Sequence, residues 1–533
     1  MDLTIILTAV TGLILFLFGI ENFSKEIQKV AGEKFRVWLG KSTSNRGSAT
    51  VLGAGVTAII QSSAATTIIA VGLVNGGIIS FASSLGIIFG ANIGTTVTAQ
   101  LVAFKLTAFA PIFIIAGFFI NLFGRRHKIL GKGMFYFGLV FFSLNLISQA
   151  ILPIKSDPVI IGYFASLSNV VIALAVGLVF TAIVQSSSVT TGIVVVLAAD
   201  GLIGLQQSIP ILLGANIGST MITILSSLRL NLYAKRLAVA HLFFNIIGAL
   251  VLLPFIGPFA SMISSIGGSA SQQVANAHTI FNILAAIVFL IFLKYYKRFI
   301  EKIVPGKEKE ILMKTKYLQE ELPEDNEAAI KLIERELGYS QYVTSQMFKK
   351  ADYLLQKPSY KQIDRLKRYE ELNDLLDKNI EKSLLHLSQR NLTESQSERL
   401  VLLVRISNLI EQLGDSADDL GSLCNSVNES GRTPSKESIE DLDEMVKIIR
   451  KNIKALEKFF PKHLIVAKVK RKSRLLKKTI NKKYGEHFMR IKKRGNYSGS
   501  IFVEAISIIE QSFNKIDEIA DLTEKYNEID GKN

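Results

Sequence analysis

One stretch of twelve residues occurs twice in this chain, and this duplication constrains the fold more than any other feature. Residues 56–67 read VTAIIQSSAATT and residues 180–191 read FTAIVQSSSVTT, with eight of the twelve positions identical. The same offset of 124 residues carries GANIGTT at 90–96 onto a second GANIGST. Further blocks keep this register, so the sequence predicts an internal duplication of about residues 15–124 and 139–248.

The duplicated stretches are apolar, yet they carry many neutral polar side chains. No charged residue lies between Gly47 and Phe104, although this segment contains glutamine, asparagine, serine, threonine and many glycines. Neutral polar groups persist at membrane depth only where they pair with each other, with broken backbone or with a ligand. Apolar segments interrupted by glycine at matching positions of two repeats are typical of a transporter substrate site.

The composition of the chain changes at about residue 300. Residues 1–300 hold 18 Lys+Arg and 6 Asp+Glu, whereas the remaining residues hold 43 and 39. The basic excess lies mainly in short loops between apolar segments, which indicates a membrane protein and not a nucleic-acid-binding one. We predict an all-α chain with a polytopic membrane domain over 1–300, a linker over 301–325 and a cytoplasmic helical domain over 326–533. The single cysteine, Cys424, fits a reducing compartment for the second half.

Each QSS segment is too long for one membrane helix and too polar at its centre for two ordinary ones. We interpret residues 48–78 and 160–200 as re-entrant hairpins whose arms meet at the QSS motif, with 3–22 as the first spanning helix and 23–46 as a loop. In this topology 16 of the 18 basic residues fall on one side, which the positive-inside rule makes cytoplasmic. Each repeat then crosses three times, so the second repeat is inverted. Hairpins that crossed fully would give parallel repeats, and the charge pattern alone does not exclude them.

The second half of the chain predicts long amphipathic helices. Apolar residues recur at helical spacing, and an offset of 99 maps LIEQLGDSADDL at 409–420 onto IIEQSFNKIDEI at 508–519. The sequence therefore predicts a soluble helical bundle of two three-helix units, over about 326–427 and 435–526. The expected helix breaks are Pro358, Asn391, Pro434, Pro461 and Asn496.

The QSS and GANIG motifs combine groups that suit anions with groups that suit cations. Serine and threonine hydroxyls can donate to an anion, and the N-terminus of a half-helix offers it free N–H groups. Hydroxyl, amide and carbonyl oxygens suit Na⁺. No Arg or Lys lies in the charge-free stretches to neutralise an anion, so an anion would need bound cations beside it. Packing of small residues explains scattered hydroxyls, but it poorly explains motifs that recur at one offset.

A shorter repeat places two histidines in apolar segments. AHLFFN at 240–245 recurs as AHTIFN at 277–282. We interpret His241 and His278 as packing and hydrogen-bonding residues between helices, in preference to proton carriers or ligands.

The paired QSS and GANIG motifs and the AHxxFN signature resemble the type II sodium–phosphate cotransporter family over about residues 1–295. The resemblance implies a secondary transporter in the cytoplasmic membrane, with inorganic phosphate and Na⁺ as ligands, no enzymatic cofactor and a site between the hairpins. It leaves homo-oligomerisation open. The residues that it assigns to phosphate are Ser62, Ser63, Ser186, Ser187, Asn92 and Asn216. The residues that it assigns to sodium, or to joining hairpin and helix, are Gln61, Thr66, Thr95, Gln185, Ser188, Thr190 and Ser219.

The second half resembles PhoU-type domains, which implies a regulatory module. Glu411 and Asp415 match the E-x-x-x-D pattern that this family uses for metal clusters, and Glu370 and Asp374 on the preceding helix are their expected partners. The second three-helix unit departs from the pattern, because Asn514 stands in place of the second acid. A solvated helix face explains the same acids without any metal.

Two other classes of function are alternatives to transport. A phosphate-responsive membrane sensor with little transport would use the helical domain as its output. An enzyme acting on phosphate esters is disfavoured, because the first 300 residues contain no paired carboxylates, no His–Asp–Ser set and no metal cluster.

Overall fold

The computed structural model describes residues 3–41, 45–104, 106–124, 127–154, 157–306, 308–319, 321–357, 359–429, 435–456, 463–494 and 499–530. The described residues form helices and no strands, so the all-α prediction is confirmed. The chain divides into two compact units, Met1–Glu310 and Ile311–Asn533, which we call the N-terminal unit and the C-terminal unit.

The N-terminal unit consists of α-helices joined by short loops and 3₁₀ turns. Its α-helices in the described residues are α1 (Leu3–Lys41), α2 (Arg46–Ile60), α3 (Ser63–Asn75), α4 (Phe81–Ala103), α5 (Ala110–Phe123), α6 (Lys128–Ile151), α7 (Pro158–Ser166), α8 (Val170–Val184), α9 (Ser187–Ala199), α10 (Leu205–Gly218), α11 (Met221–Ser227), α12 (Leu232–Leu252), α13 (Ile256–Ile266), α14 (Ala270–Ile291) and α15 (Leu293–Ile303). Six helical segments of the described chain are long and apolar enough to cross a membrane. They are Leu3–Lys29, Phe81–Ala103, Lys128–Ile151, Leu205–Ser227, Leu232–Ile266 and Ala270–Ile291.

The helix is broken at the same place in both QSS motifs. The second segment, predicted over 160–200, also contains most of α7, so its two arms begin only at Val170. The break between α2 and α3 lies at Gln61 and Ser62, and the break between α8 and α9 lies at Gln185 and Ser186. The arms are 13 to 15 residues long. At 1.5 Å per residue each arm is about 20 Å long, short of the roughly 30 Å of a hydrocarbon core. The helix therefore breaks inside both motifs, where the sequence analysis expects the arms to meet.

The first arm of each hairpin packs closely against the helix that carries GANIG. A Cβ atom added at Gly90 of α4 would lie 1.9 Å from the carbonyl oxygen of Thr50, and one at Gly214 of α10 would lie 2.0 Å from that of Leu174. Only glycine permits backbones to approach so closely. The first glycine of each GANIG motif thus has a packing role, and it sets the polar residues that follow against the hairpin.

Helix α1 is longer than the sequence analysis expects. It continues without a break from Leu3 to Lys41, so the prediction of a loop is wrong for residues 23–41. The extension buries Phe35 and Leu39 completely or nearly so. Burial of these two apolar side chains stabilises the helix over a segment whose composition is typical of a polar loop.

The C-terminal unit has six described α-helices. They are α16 (Asn326–Gln356), α17 (Tyr360–Ser388), α18 (Glu394–Glu429), α19 (Lys436–Leu456), α20 (His463–Arg494) and α21 (Gly499–Asp530). Buried side chains from all six form one continuous core. The expected break at Asn391 falls between α17 and α18, whereas Pro358, Pro434, Pro461 and Asn496 lie outside the described residues.

Part of the predicted linker over 301–325 packs onto the C-terminal unit. The buried carboxylate of Glu336 accepts hydrogen bonds from the backbone N–H groups of Lys316 at 2.8 Å and Leu318 at 3.0 Å. Leu318 itself is buried in the helical core. Because Glu336 on α16 accepts these backbone hydrogen bonds, residues 316–318 are structurally part of the C-terminal unit.

Candidate functional site

The two QSS motifs adopt the same unusual backbone conformation. Gln61 (φ 58°, ψ 27°) and Gln185 (φ 60°, ψ 22°) are the non-glycine residues with positive φ in the described part of the chain. Each is followed by an extended serine, Ser62 or Ser186, from which the next helix begins. A left-handed conformation costs a residue with a side chain about 1–2 kcal/mol. Strain of this kind collects at functional sites, and here it occurs at both equivalent positions.

Each break presents the N-terminus of a half-helix, where free N–H groups attract anions. Ser63 and Ser187 are the first residues of α3 and α9, and both are buried. The Ser62 hydroxyl accepts a hydrogen bond from the Ala65 N–H at 3.2 Å, whereas Ser186 makes no such capping bond. The serines predicted to face phosphate thus lie at two equivalent helix starts, one in each repeat.

A buried pair of threonines joins the arms of each hairpin. The Thr57 hydroxyl donates to Thr66 Oγ1 at 2.9 Å, and the equivalent hydroxyl oxygens of Thr181 and Thr190 lie 2.5 Å apart. Thr66 and Thr190 were assigned to sodium, and the structure places both in these inter-arm bonds. Their partners were missed, although both belong to the TAI tripeptide that the two repeats share.

Thr98 of α4 connects the two hairpins. The Thr98 hydroxyl donates to Gln61 Oε1 at 2.6 Å. The Thr98 hydroxyl oxygen also lies 3.4 Å from the hydroxyl oxygen of Ser188 on α9. All three side chains are buried. Two residues assigned to sodium, one from each repeat, are therefore brought together by a residue that the sequence analysis did not select. Comparison of the repeats could not select it, because the equivalent position is Ile222.

The surroundings of the two glutamines differ. Gln61 is buried and bonded to Thr98, whereas Gln185 is exposed and Ser186 is half-buried. Equivalent residues with matching backbone angles thus occupy one closed and one open environment.

The asparagines of the GANIG motifs also differ between repeats. The Asn216 amide donates to Asn282 Oδ1 at 3.2 Å, and Asn216 Oδ1 lies 3.2 Å from His278 Nε2, which ties α10 to α14. The Asn92 amide instead donates to the Ile88 carbonyl of its own helix at 2.9 Å. A network between helices therefore holds Asn216, and His278 takes part in it as a hydrogen-bonding residue.

Thr95 and Ser219 keep oxygen lone pairs available. The Thr95 hydroxyl donates to the Ala91 carbonyl at 3.1 Å, and the Ser219 hydroxyl donates to the Asn216 carbonyl at 2.8 Å. A hydroxyl that has donated its proton can still direct a lone pair at a cation. This chemistry is compatible with the sodium assignment of both residues.

Several buried polar atoms have no hydrogen-bond partner within the described structure. They include the hydroxyl oxygens of Thr67 and Thr191, which are equivalent in the two repeats. Both ring nitrogens of His241 are also buried without a partner. An unpaired buried polar group costs about 1–3 kcal/mol. Because Thr67 and Thr191 end the two QSS–TT motifs, they are further candidates for ligand contact that the site prediction omitted.

The acids selected in the C-terminal unit form a shared electrostatic patch on α17 and α18. Burial raises the pKa of Glu370, and neighbouring Asp374 raises it further. Burial and the Asp415 carboxylate likewise raise the pKa of Glu411. The Lys515 ammonium of α21 donates to the Gln412 carbonyl at 2.8 Å beside this patch.

Within the described residues no group of three or more His, Cys, Asp or Glu side chains is placed to hold a metal ion. The assignment of Glu370, Asp374, Glu411 and Asp415 to a metal stays a prediction.

Comparison with known proteins shows the family of this chain. Residues 15–149 and 163–263 match the family model described as Na+/Pi-cotransporter. These ranges contain both QSS motifs and both GANIG motifs. The chain is also 32% identical over 308 residues to "Uncharacterized protein YqeW" of Bacillus subtilis, which covers 57% of this chain and 100% of that protein. The chain belongs to the Na+/Pi-cotransporter family.

Other relatives of this Na+/Pi-cotransporter family member carry functional names. The chain is 26% identical over 476 residues to "Putative inorganic phosphate export protein YjbB" of Salmonella typhimurium, with 88% of each chain covered. It is 35% identical over 141 residues to "Sodium-dependent phosphate transport protein 2B" of Homo sapiens, with 25% of this chain and 20% of that protein covered. No solved structure matches the chain. The family resemblance drawn from the motifs is confirmed, and the PhoU-type likeness of the C-terminal unit stays a prediction.

Proposed function

We propose that this protein is a secondary active transporter that couples sodium influx to the movement of inorganic phosphate across the cytoplasmic membrane. The observation that carries the proposal is the pair of strained QSS breaks joined through Thr98, set in a membrane-type unit of a phosphate-transport family. Phosphate binds at the half-helix starts, on Ser62, Ser63, Ser186 and Ser187. Sodium binds beside it, on glutamine, serine and threonine oxygens from both repeats.

Coupling follows from the lack of fixed positive charge. No Lys or Arg lies between Gly47 and Phe104, and the segment 158–228 carries only one charged residue, Asp200. Burying an anion without a counter-charge costs several kcal/mol or more. Sodium ions bound beside the phosphate remove this cost, so each ligand raises the affinity for the other by the same factor.

The short arms support re-entrant hairpins and hence an inverted repeat. Arms of about 20 Å cannot cross the hydrocarbon core singly, and re-entry puts 16 of 18 basic residues on one side. The first hairpin then enters from the cytoplasm and the second from outside, and the C-terminal unit is a cytoplasmic regulatory module.

The names of the relatives concern the direction of phosphate transport. The relative that aligns over most of the chain is named for phosphate export, and the human relative is named for sodium-dependent transport. A carrier that couples two solutes can run either way, so the two gradients decide the net flux.

Calorimetry and uptake with purified protein test the proposal. Phosphate should bind more tightly in Na⁺ than in K⁺, and phosphate should raise sodium affinity by the same factor. Proteoliposomes should accumulate labelled phosphate when a Na⁺ gradient is the only driving force, and not with a K⁺ gradient. Equal phosphate affinity in the two cations would refute the coupled site, and sodium-dependent binding without any uptake would indicate a sensor.

A further inference from the structure

Two cavities adjoin along one face of α16 in the C-terminal unit. The larger has a volume of about 690 Å³ and is lined by Lys331, Arg335, Tyr339 and Tyr342, among others. The smaller, about 370 Å³, lies between α16 and α19 and is lined by Tyr342 and Lys349 together with basic residues of α19. Tyr342 lines both cavities, and we call this pair of adjoining cavities the groove.

The smaller cavity concentrates positive charge. Lys447, Arg450, Lys451 and Lys454 of α19 line it together with Lys349 of α16. Lys447 pairs with Asp443 at 2.5 Å and Arg450 pairs with Asp352 at 2.6 Å. Lys349, Lys451 and Lys454 are exposed and have no ion pair within the described residues. Three positive charges around one cavity are therefore not neutralised by the protein.

This arrangement is unfavourable for the protein alone. Lys451 and Lys454 are three residues apart on α19, and like charges at this spacing repel each other on a helix surface. Lys349 adds a further positive charge from the facing helix. A ligand with several negative charges would relieve this repulsion, and lysine ammonium groups bind phosphate as point charges.

The adjoining cavity supplies aromatic surface. The rings of Tyr339 and Tyr342 are stacked, with centroids 6.2 Å apart and an interplanar angle of 13°. Nucleic-acid bases of any sequence stack favourably on aromatic side chains. Tyr342 and Lys349 are seven residues apart on one helix, about 10 Å along its axis. A ribose with two or three phosphate groups bridges a span of this size.

We propose that this groove binds a nucleotide with two or more phosphate groups. The base lies against Tyr342, and the phosphate chain lies among Lys349, Lys451 and Lys454. A nucleoside triphosphate carries enough negative charge to match the three unpaired lysines. The inference rests on residues of the C-terminal unit alone, so it does not depend on the coupling proposed above.

Calorimetry on the full-length protein in nanodiscs of zwitterionic lipid tests the site. ATP should bind more tightly than ADP, and ADP more tightly than AMP. The triple variant Lys349→Gln, Lys451→Gln, Lys454→Gln should lose ATP affinity at least tenfold. The matched triple variant Lys472→Gln, Lys477→Gln, Lys478→Gln removes the same charge from exposed positions of α20 and should bind ATP like the wild type.

A second series separates the base from the phosphates. Tyr342→Leu should weaken ATP binding and leave the affinity for inorganic triphosphate unchanged. Equal wild-type affinities for ATP and inorganic triphosphate would overturn the assignment to a nucleotide. Absence of ATP binding, an equal loss in both triple variants, or binding only to anionic lipid vesicles would overturn the site itself. Thermal unfolding of each variant verifies that it is folded, and sodium-dependent phosphate binding in the same preparation is scored separately.

Discussion

Substitution of Thr98 by valine isolates the contact that joins the two hairpins. Valine keeps the shape of the side chain and replaces its hydroxyl by a methyl group. The change deletes the 2.6 Å hydrogen bond to Gln61 Oε1 and the contact of 3.4 Å with Ser188. Since Gln61 is buried, water does not replace the lost donor.

The size of the effect follows from this burial. Leaving a buried acceptor without its donor costs about 1–3 kcal/mol. If sodium binding requires the glutamine in its present orientation, this cost falls on the sodium-bound state. Because 1.4 kcal/mol corresponds to a factor of ten, the half-saturating sodium concentration should rise about tenfold, within a range of roughly five- to a hundredfold.

Initial rates of phosphate uptake into proteoliposomes, measured against sodium concentration, report this quantity. Thr98→Ser keeps the hydroxyl and should restore most of the sodium affinity. Thr96→Val is a matched control, because the buried Thr96 hydroxyl donates only to the Ile93 carbonyl of its own helix, at 2.7 Å. A wild-type sodium dependence in Thr98→Val, or the same loss in Thr96→Val, would show that the link through Thr98 does not position the sodium site.

Two further predictions concern packing and topology. Gly90→Ala should lower the thermal unfolding temperature, since overpacking costs about 1–3 kcal/mol. Gly55→Ala is the control and should not lower it, because a Cβ atom at Gly55 meets no atom within 4 Å. Similar shifts in both variants would contradict the close approach of α2 and α4 at Gly90. Cys424 is buried, and this burial raises its pKa to about 12, so maleimide should leave it unlabelled in the folded protein at neutral pH. On that background Lys34→Cys and Lys128→Cys should label only from the cytoplasm and Ser264→Cys only from outside. A first hairpin that crossed the membrane fully would put Lys34 and Lys128 on opposite sides, so labelling of these two from opposite sides would exclude the inverted topology.

Local geometry was predictable where the repeat carries it. Both motifs place a glutamine and a serine between two apolar runs, and both break the helix at those residues. The close approach at Gly90 and Gly214 follows the same register, because a motif kept at one offset keeps its backbone contacts. The sequence therefore predicts features that depend on neighbours within one repeat.

Features that depend on contacts between distant helices were not predictable in this way. Thr98 has no polar equivalent, and Asn216 is held by His278 and Asn282, which lie outside the duplicated segment. The helical continuation of α1 depends on burial of Phe35, and composition does not report burial. Long-range pairing decides these features, and single-sequence periodicity contains no information about it.

The left-handed glutamines have a consequence for how this protein can be improved as a laboratory sample. Glycine adopts the backbone angles of Gln61 and Gln185 without the penalty of about 1–2 kcal/mol that a side chain incurs. A screen that selects for heat resistance alone would therefore favour glycine at Gln185, whose side chain is exposed, and would discard an amide that we propose binds sodium. At Gln61 the buried hydrogen bond from Thr98 opposes this exchange. Thermostabilised variants of this transporter should be chosen with both glutamines held fixed.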